Sequence, residues 1–262
     1  MRQHNQNDSV PRSNRLRILL SRLTSLEKQE LTTLVLLAVI SAGVWIFIAI
    51  GSEVLEGDTQ ALDRKLLLAL REPNDTRDPL GPPWLEEAAR DVTALGGLTL
   101  LAFITLAISG FLMLEGKAQM AAFVLGAVVT GMILSTALKD LYHRPRPELV
   151  PHSVYVYGTS FPSGHSMMSA ITYLTLGALL ARAHRQIRLK VYVIFLAVFV
   201  TFAVGVSRVY LGVHWPTDVL AGWTAGAVWA VICWTVARQL QRAHQIEDEQ
   251  APGLDEHPTK AT

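Results

Sequence analysis

The sequence predicts an all-α protein, a six-transmembrane-helix bundle with short interfacial helices in its first outer loop. Three observations carry that expectation. Half of the 262 residues are apolar and only 17% are charged, where a soluble domain of this length carries about a quarter. Six segments are apolar over the length a membrane crossing requires, about 20 residues for a hydrocarbon layer ~30 Å thick. Basic residues crowd the stretch before the first segment and the short link between the fourth and fifth, which the positive-inside rule assigns to one side of the membrane.

The first crossing is Leu31–Ile50, the second Ala94–Leu114 and the third Gln119–Leu138, none of which contains a charged residue. Ser163–Ala181, Leu189–Val206 and Thr217–Ala237 complete the set, the last two carrying Lys190 and Asp218 near an end. Arg182, Arg185, Arg188 and Lys190 crowd the link between the fourth and fifth crossings, and Arg12, Arg15, Arg17, Arg22 and Lys28 precede the first. Both groups belong in the cytoplasm, so both termini are expected inside. Residues 1–30 are then a cytoplasmic tail with an amphipathic segment over Arg15–Glu30, residues 31–237 the six-span domain, and residues 238–262 a cytoplasmic tail. Met1–Asn14 and Gln245–Thr262 are polar and expected to be disordered. In the first outer loop, Leu62, Leu66 and Leu70 recur at helical spacing, as do Leu85, Ala88 and Val92 after Pro82 and Pro83, which predicts two short interfacial helices.

Composition also excludes. A net charge of +1 argues against a nucleic-acid partner, which needs a strongly basic face. The lone Cys233 leaves no intramolecular disulfide and no cysteine-built zinc site.

The informative polar residues map to the outer side. Lys139 ends the third crossing and is followed by Arg144, Arg146 and Pro147; Ser163, Gly164 and His165 open the fourth; Ser207, Arg208, His214 and Asp218 join the fifth to the sixth. Lys139, Arg146 and Arg208 are three fixed cations, with Arg144 as a fourth candidate, and guanidinium forks pair with phosphate oxygens. Ser163 and Gly164 stand where a helix begins, so backbone N–H groups and the positive helix end favour an anion, and Gly164 leaves room for close approach. Pro216 favours a helix start, which puts His214 just before the sixth helix and Asp218 four residues on, where its carboxylate can orient the imidazole. That leaves the other ring nitrogen free as a nucleophile, with His165 on the facing helix as a proton donor.

The pattern K-x6-R-P (Lys139 to Pro147), P-S-G-H (Pro162 to His165) and S-R-x5-H-x3-D (Ser207 to Asp218) resembles the three-part signature of the type 2 phosphatidic acid phosphatase superfamily. The resemblance implies a metal-independent membrane phosphatase working through a phosphohistidine, with His214 as nucleophile, Asp218 as its orienting partner and His165 as acid. Lys139, Arg146, Ser163, Gly164 and Arg208 become phosphate ligands, and no cofactor is called for. It further implies a phosphorylated membrane lipid as substrate, of the undecaprenyl diphosphate, phosphatidic acid or phosphatidylglycerol phosphate class, met at the outer face of a bacterial inner membrane. Two alternatives stand beside it: a phosphotransferase that passes the group to another lipid, and a non-catalytic phospholipid-binding protein. Oligomeric state is not legible.

Other polar residues take plainer readings. Arg182, Arg185 and Arg188 snorkel to the interface; His143 and His152 line the pocket; Asp140 pairs at most with a signature arginine. Three or more fixed cations would repel a divalent metal ion. Gly222 and Gly226 report close helix packing, and Trp45, Trp229 and Trp234 are expected as lipid-facing or interfacial anchors.

Overall fold

A computed structural model describes residues 12–148 and 158–242, the side chains of 12–29 and 242 excepted. The chain divides into two units, Met1–Ser41 and Ala42–Thr262, and every residue of the outer cluster belongs to the second. Helix α1 runs unbroken over Arg12–Glu56, so Arg12–Asn14 open a helix. Residues 1–11, His152 and the expected C-terminal tail from Gln245 lie outside the described residues. In α1 the apolar side chains of Leu31, Leu34, Val35 and Leu37 are exposed, as a lipid-facing span requires.

Helix α2 spans Gln60–Leu68 and α3 spans Pro83–Ala94, overlapping the two stretches where apolar residues at helical spacing foretold helix. Between them lies a departure from the all-α expectation. Strands β1 (Arg71–Glu72) and β2 (Asp75–Pro79) pair antiparallel with Glu72 opposite Asp75. Pro73 and Asn74 supply the turn, and strands this short show no alternation that a sequence scan can detect.

The second crossing also differs from expectation. Ala94 closes α3, and α4 begins only at Leu98, running to Leu114 after a 47° bend. The break falls at Leu95–Gly97, where a Cβ on Gly96 would lie 2.4 Å from Val204 Cγ1 and 3.2 Å from the His165 carbonyl. The segments expected as the third, fifth and sixth crossings form α5 (Ala118–Tyr142), α8 (Ile187–Tyr210) and α9 (Pro216–Arg242). The segment expected as the fourth is divided among α6 (Gly164–Ser169), a π-helical turn at Ala170–Leu174 and α7 (Thr175–Ala183). The π turn carries the Tyr173 hydroxyl, which donates to the Leu95 carbonyl at 2.7 Å. Among the described residues four helices are each long and apolar enough to cross a membrane, or five if the bent α3–α4 pair counts as one.

Glycines set the central packing. A Cβ on Gly222 would lie 2.7 Å from the Ser163 carbonyl, and one on Gly226 would lie 2.6 Å from the Met167 carbonyl. Only bare α-carbons let α9 press this closely on α6. Trp229 departs from the anchor expectation. It is half-buried against Leu101, Met167 and Ile171, and its indole N–H donates to the Ala127 carbonyl at 2.9 Å, because an indole N–H turned away from water must find an acceptor. Trp45 is exposed as expected, and Trp234 sits beneath the Arg238 guanidinium.

Candidate active site

The site begins with the start of α9. Pro216 occupies the first helical position, where its missing N–H costs nothing, and Asp218 reaches back to accept the Trp215 N–H at 2.9 Å, one half of a capping box. That cap fixes the carboxylate four residues after His214. Oxygen Oδ2 also accepts the Ser160 hydroxyl at 2.5 Å and lies 3.4 Å from His214 Nδ1. Ser160 Oγ is itself 3.2 Å from the same ring nitrogen. Both neighbours of Nδ1 can accept a hydrogen bond, so the imidazole carries its hydrogen there and leaves Nε2 with the lone pair.

Arg146 meets that lone pair. Its Nη1 donates to the Val213 carbonyl at 2.8 Å and stands 3.1 Å from His214 Nε2, while Nε donates to the Gly158 carbonyl at 3.1 Å. His214 is 1% exposed. Burial pushes its pKa down to about 3, with Arg208 and Arg146 acting in the same direction and the Asp218 carboxylate opposing. The ring is therefore neutral at physiological pH.

Lys139 and Arg208 arrive from two helix ends. The last turn of α5 presents Lys139, whose ammonium donates to the Thr159 carbonyl at 3.0 Å; Thr159 Oγ1 returns a bond to the Lys139 carbonyl. Gly164 makes room for this side chain, since a Cβ there would sit 3.2 Å from Lys139 Cε. Arg208, in the last turn of α8, is 3% exposed. Its Nη1 donates to Thr93 Oγ1 of α3 at 3.0 Å, and its buried Nε–H has no hydrogen-bond partner among the described residues. His165 is partly exposed.

Ser163 and Arg144 take protein partners that the sequence reading did not include. Ser163 donates its N–H to the Asp218 carbonyl at 2.9 Å, and its hydroxyl accepts from Ser166. It caps α6 and ties that helix to α9, so the helix-start amides left for an anion are those of Gly164 and His165. Arg144 is no fourth anion ligand. Its Nη1 is spent on Asp218 at 2.6 Å and Thr217 at 2.8 Å, its Nη2 on Asp63 at 2.7 Å and Thr59 at 3.2 Å. His143 lines a separate cavity, with Val54, Arg64, Arg144 and Trp215. Asp140 is exposed and forms no ion pair among the described residues.

Sequence reasoning missed Ser160, Thr159, Thr93 and Asp63. For the first two a signal existed in the run Gly158-Thr159-Ser160, polar and directly ahead of the P-S-G-H motif. Thr93 and Asp63 had none, because they come from helices far away in the chain.

The fold and the site together define a multi-pass membrane protein with a histidine–carboxylate pair ringed by cations. The PAP2 superfamily profile matches residues 120–242, the stretch that supplies all of these groups except Asp63, Thr59 and Thr93. The chain belongs to the PAP2 superfamily. It is 35% identical over 150 residues to phosphatidylglycerophosphatase B of Bacillus subtilis, covering 55% of this chain and 71% of that protein. A shorter match, 38% identical over 68 residues, relates it to an undecaprenyl-diphosphatase of Sulfolobus acidocaldarius, 26% of this chain and 29% of the relative. The crystal structure of a transmembrane PAP2-type phosphatidylglycerolphosphate phosphatase from Bacillus subtilis superposes with a TM-score of 0.67 at 27% identity, covering 78% of this chain and 98% of that one.

Proposed function

We propose that this protein is a phosphatase of phosphorylated membrane lipids that works through a phosphohistidine on His214. The observation that carries the proposal is the state of that imidazole: neutral, with Nδ1 held by Asp218 and Ser160 and Nε2 beside Arg146. A phosphate dianion draws Arg146, Arg208 and Lys139 onto its oxygens, and the unpartnered Arg208 Nε–H gains an acceptor. Moving Arg146 onto the anion exposes the Nε2 lone pair. Nε2 then attacks phosphorus in line as the bond to the leaving oxygen breaks, and His165 gives that oxygen its proton. Asp218 stabilises the positive charge that develops on the ring. Water, deprotonated by His165, next attacks the phosphohistidine, releases inorganic phosphate and restores His214. The cations and the amides of Gly164 and His165 stabilise the transferring group, the term expected to dominate.

The same reading takes the chain as six spans, with α4 and the α6–α7 segment each counted as a crossing and α2 and α3 lying at the outer interface. The positive-inside rule then sets the site on the extracytoplasmic face of a bacterial inner membrane, with the lipid tails left in the bilayer. The relatives point to phosphatidylglycerol phosphate and undecaprenyl diphosphate as substrates, and the family resemblance adds phosphatidic acid. Phosphate release from these three lipids by the purified protein in detergent, with EDTA present, tests the assignment. Hydrolysis of at least one by the parent and none by His214→Ala is expected. Turnover retained by His214→Ala overturns the nucleophile, and transfer to an added lipid acceptor in place of phosphate release overturns hydrolysis.

A further inference from the structure

Helix α2 is held against the site by a buried acid that neither the signature nor the reaction steps involve. Asp63 is fully buried and all its side-chain bonds run outward from α2. Oδ1 accepts the Thr217 N–H at 3.0 Å; Oδ2 accepts the Thr217 hydroxyl at 2.7 Å and Arg144 Nη2 at 2.7 Å. Thr59, one turn earlier, accepts from the same Nη2. The other end of that guanidinium, Nη1, donates to Asp218 Oδ1 at 2.6 Å. Arg144 thus stands between two buried carboxylates, with its own side chain 9% exposed. Beneath this network Leu67 of α2 packs on Val209 and Val219.

We propose that Asp63 is a positioning residue for the histidine pair. By gripping Nη2, it orients the Arg144 plane so that Nη1 meets Asp218 Oδ1, which leaves Oδ2 turned toward His214 and Ser160. By accepting the Thr217 N–H, it satisfies an orphan donor in the first turn of α9, the turn that carries Asp218. Both actions act on the carboxylate and neither touches substrate. The outer segment between the first two crossings is therefore part of the catalytic apparatus, coupled to it by an ion chain Asp63–Arg144–Asp218 with no slack. A guanidinium fits this task better than an ammonium because its planar fork serves both carboxylates at once.

This inference rests on His214 being the nucleophile, and the experiment separates the two. Kinetics of phosphate release are measured for the parent, Asp63→Asn, Asp63→Glu, Asp218→Asn, the Asp63→Asn/Asp218→Asn double variant and His214→Ala, each with its melting temperature. Asp63→Asn keeps the shape and one acceptor, and is expected to lower kcat by about 10- to 100-fold, the usual cost of losing an outer partner, with KM changed less than about 3-fold. Added to Asp218→Asn it is expected to cost no further kcat, because the chain ends on that carboxylate. A kcat for Asp63→Asn within about 2-fold of the parent, or full additivity in the double variant, overturns the inference while His214→Ala remains inactive. If Asp63→Asn does not accumulate folded, Asp63→Glu decides: it keeps the charge but displaces Arg144, and a parental kcat there overturns the inference equally. Activity in His214→Ala would instead overturn the nucleophile assignment.

Discussion

Asp218→Asn isolates the chemistry of one carboxylate with almost no change of shape. In the parent its two oxygens accept from Arg144 at 2.6 Å, Ser160 at 2.5 Å and the Trp215 N–H at 2.9 Å, with His214 Nδ1 at 3.4 Å. An amide offers one acceptor oxygen and one donor NH2. Placed with its NH2 at Oδ1, it sets two donors head to head across the former 2.6 Å bond to Arg144. Turned over, it confronts the Trp215 N–H and the hydrogen on His214 Nδ1. The ring escapes by moving its proton to Nε2, the atom required as nucleophile, which then points at Arg146 3.1 Å away. Either placement leaves a buried donor unpaired, about 1–3 kcal/mol of stability. The wrong tautomer is the larger loss for turnover, about 10³- to 10⁴-fold in kcat by analogy with serine-protease triads, or roughly 4–5.5 kcal/mol on the barrier. Phosphate release from short-chain phosphatidic acid in detergent, alongside a thermal melt, reads both. A variant that melts like the parent and keeps more than about a tenth of its kcat would refute the reasoning, since tautomer control is assigned nearly all of that barrier.

Packing, proton transfer and pH each give a further test. In Gly222→Ala the new methyl would fall 2.7 Å from the Ser163 carbonyl, forcing α9 off α6; the variant is expected to lose about 1–3 kcal/mol, visible as a lowered melting temperature. An alkoxide leaves far less readily than phosphate, so His165→Ala should damage phosphatidic acid hydrolysis more than undecaprenyl diphosphate hydrolysis; equal losses on the two contradict its role as acid. The folded-state pKa of His214, pushed down to about 3, lies below the ordinary imidazole value of about 6.5. The unfolded chain therefore binds the extra proton between those values, and stability is full above about pH 6.5 and lost as pH falls toward 3. Melting temperatures between pH 7.5 and 5 should fall more steeply for the parent than for His214→Gln, and parallel slopes would count against a neutral buried ring.

Much of the molecule was legible before its coordinates. Hydropathy over the length of a bilayer located the long apolar helices α1, α5, α8 and α9, and apolar residues at helical spacing located α2 and α3. The count of crossings put Lys139, Arg146, His165, Arg208 and His214 near one surface without any knowledge of their contacts. The start of α9 was readable because proline and a carboxylate have strong positional meaning in a first turn. Where the reading failed, the missing information was long-range. The β1–β2 hairpin is too short for periodicity to register, the bend before α4 depends on how closely Gly96 meets α6, and Trp229 turns inward because an acceptor on α5 is within reach.

The sequence by itself determined which residue types the site is built from, since motif spacing and charge are properties that can be read along the chain. Only the tertiary structure decided which partner each of them takes. Arg144 and Arg146 lie two residues apart with the same chemistry, yet one is locked between Asp63 and Asp218 while the other meets His214 Nε2. That division follows from the rotation of α9, the approach of α2 and the path of the loop at Thr159 and Ser160. Hydrogen bonds discriminate over tenths of an ångström in distance and tens of degrees in angle, a precision that residue spacing does not encode.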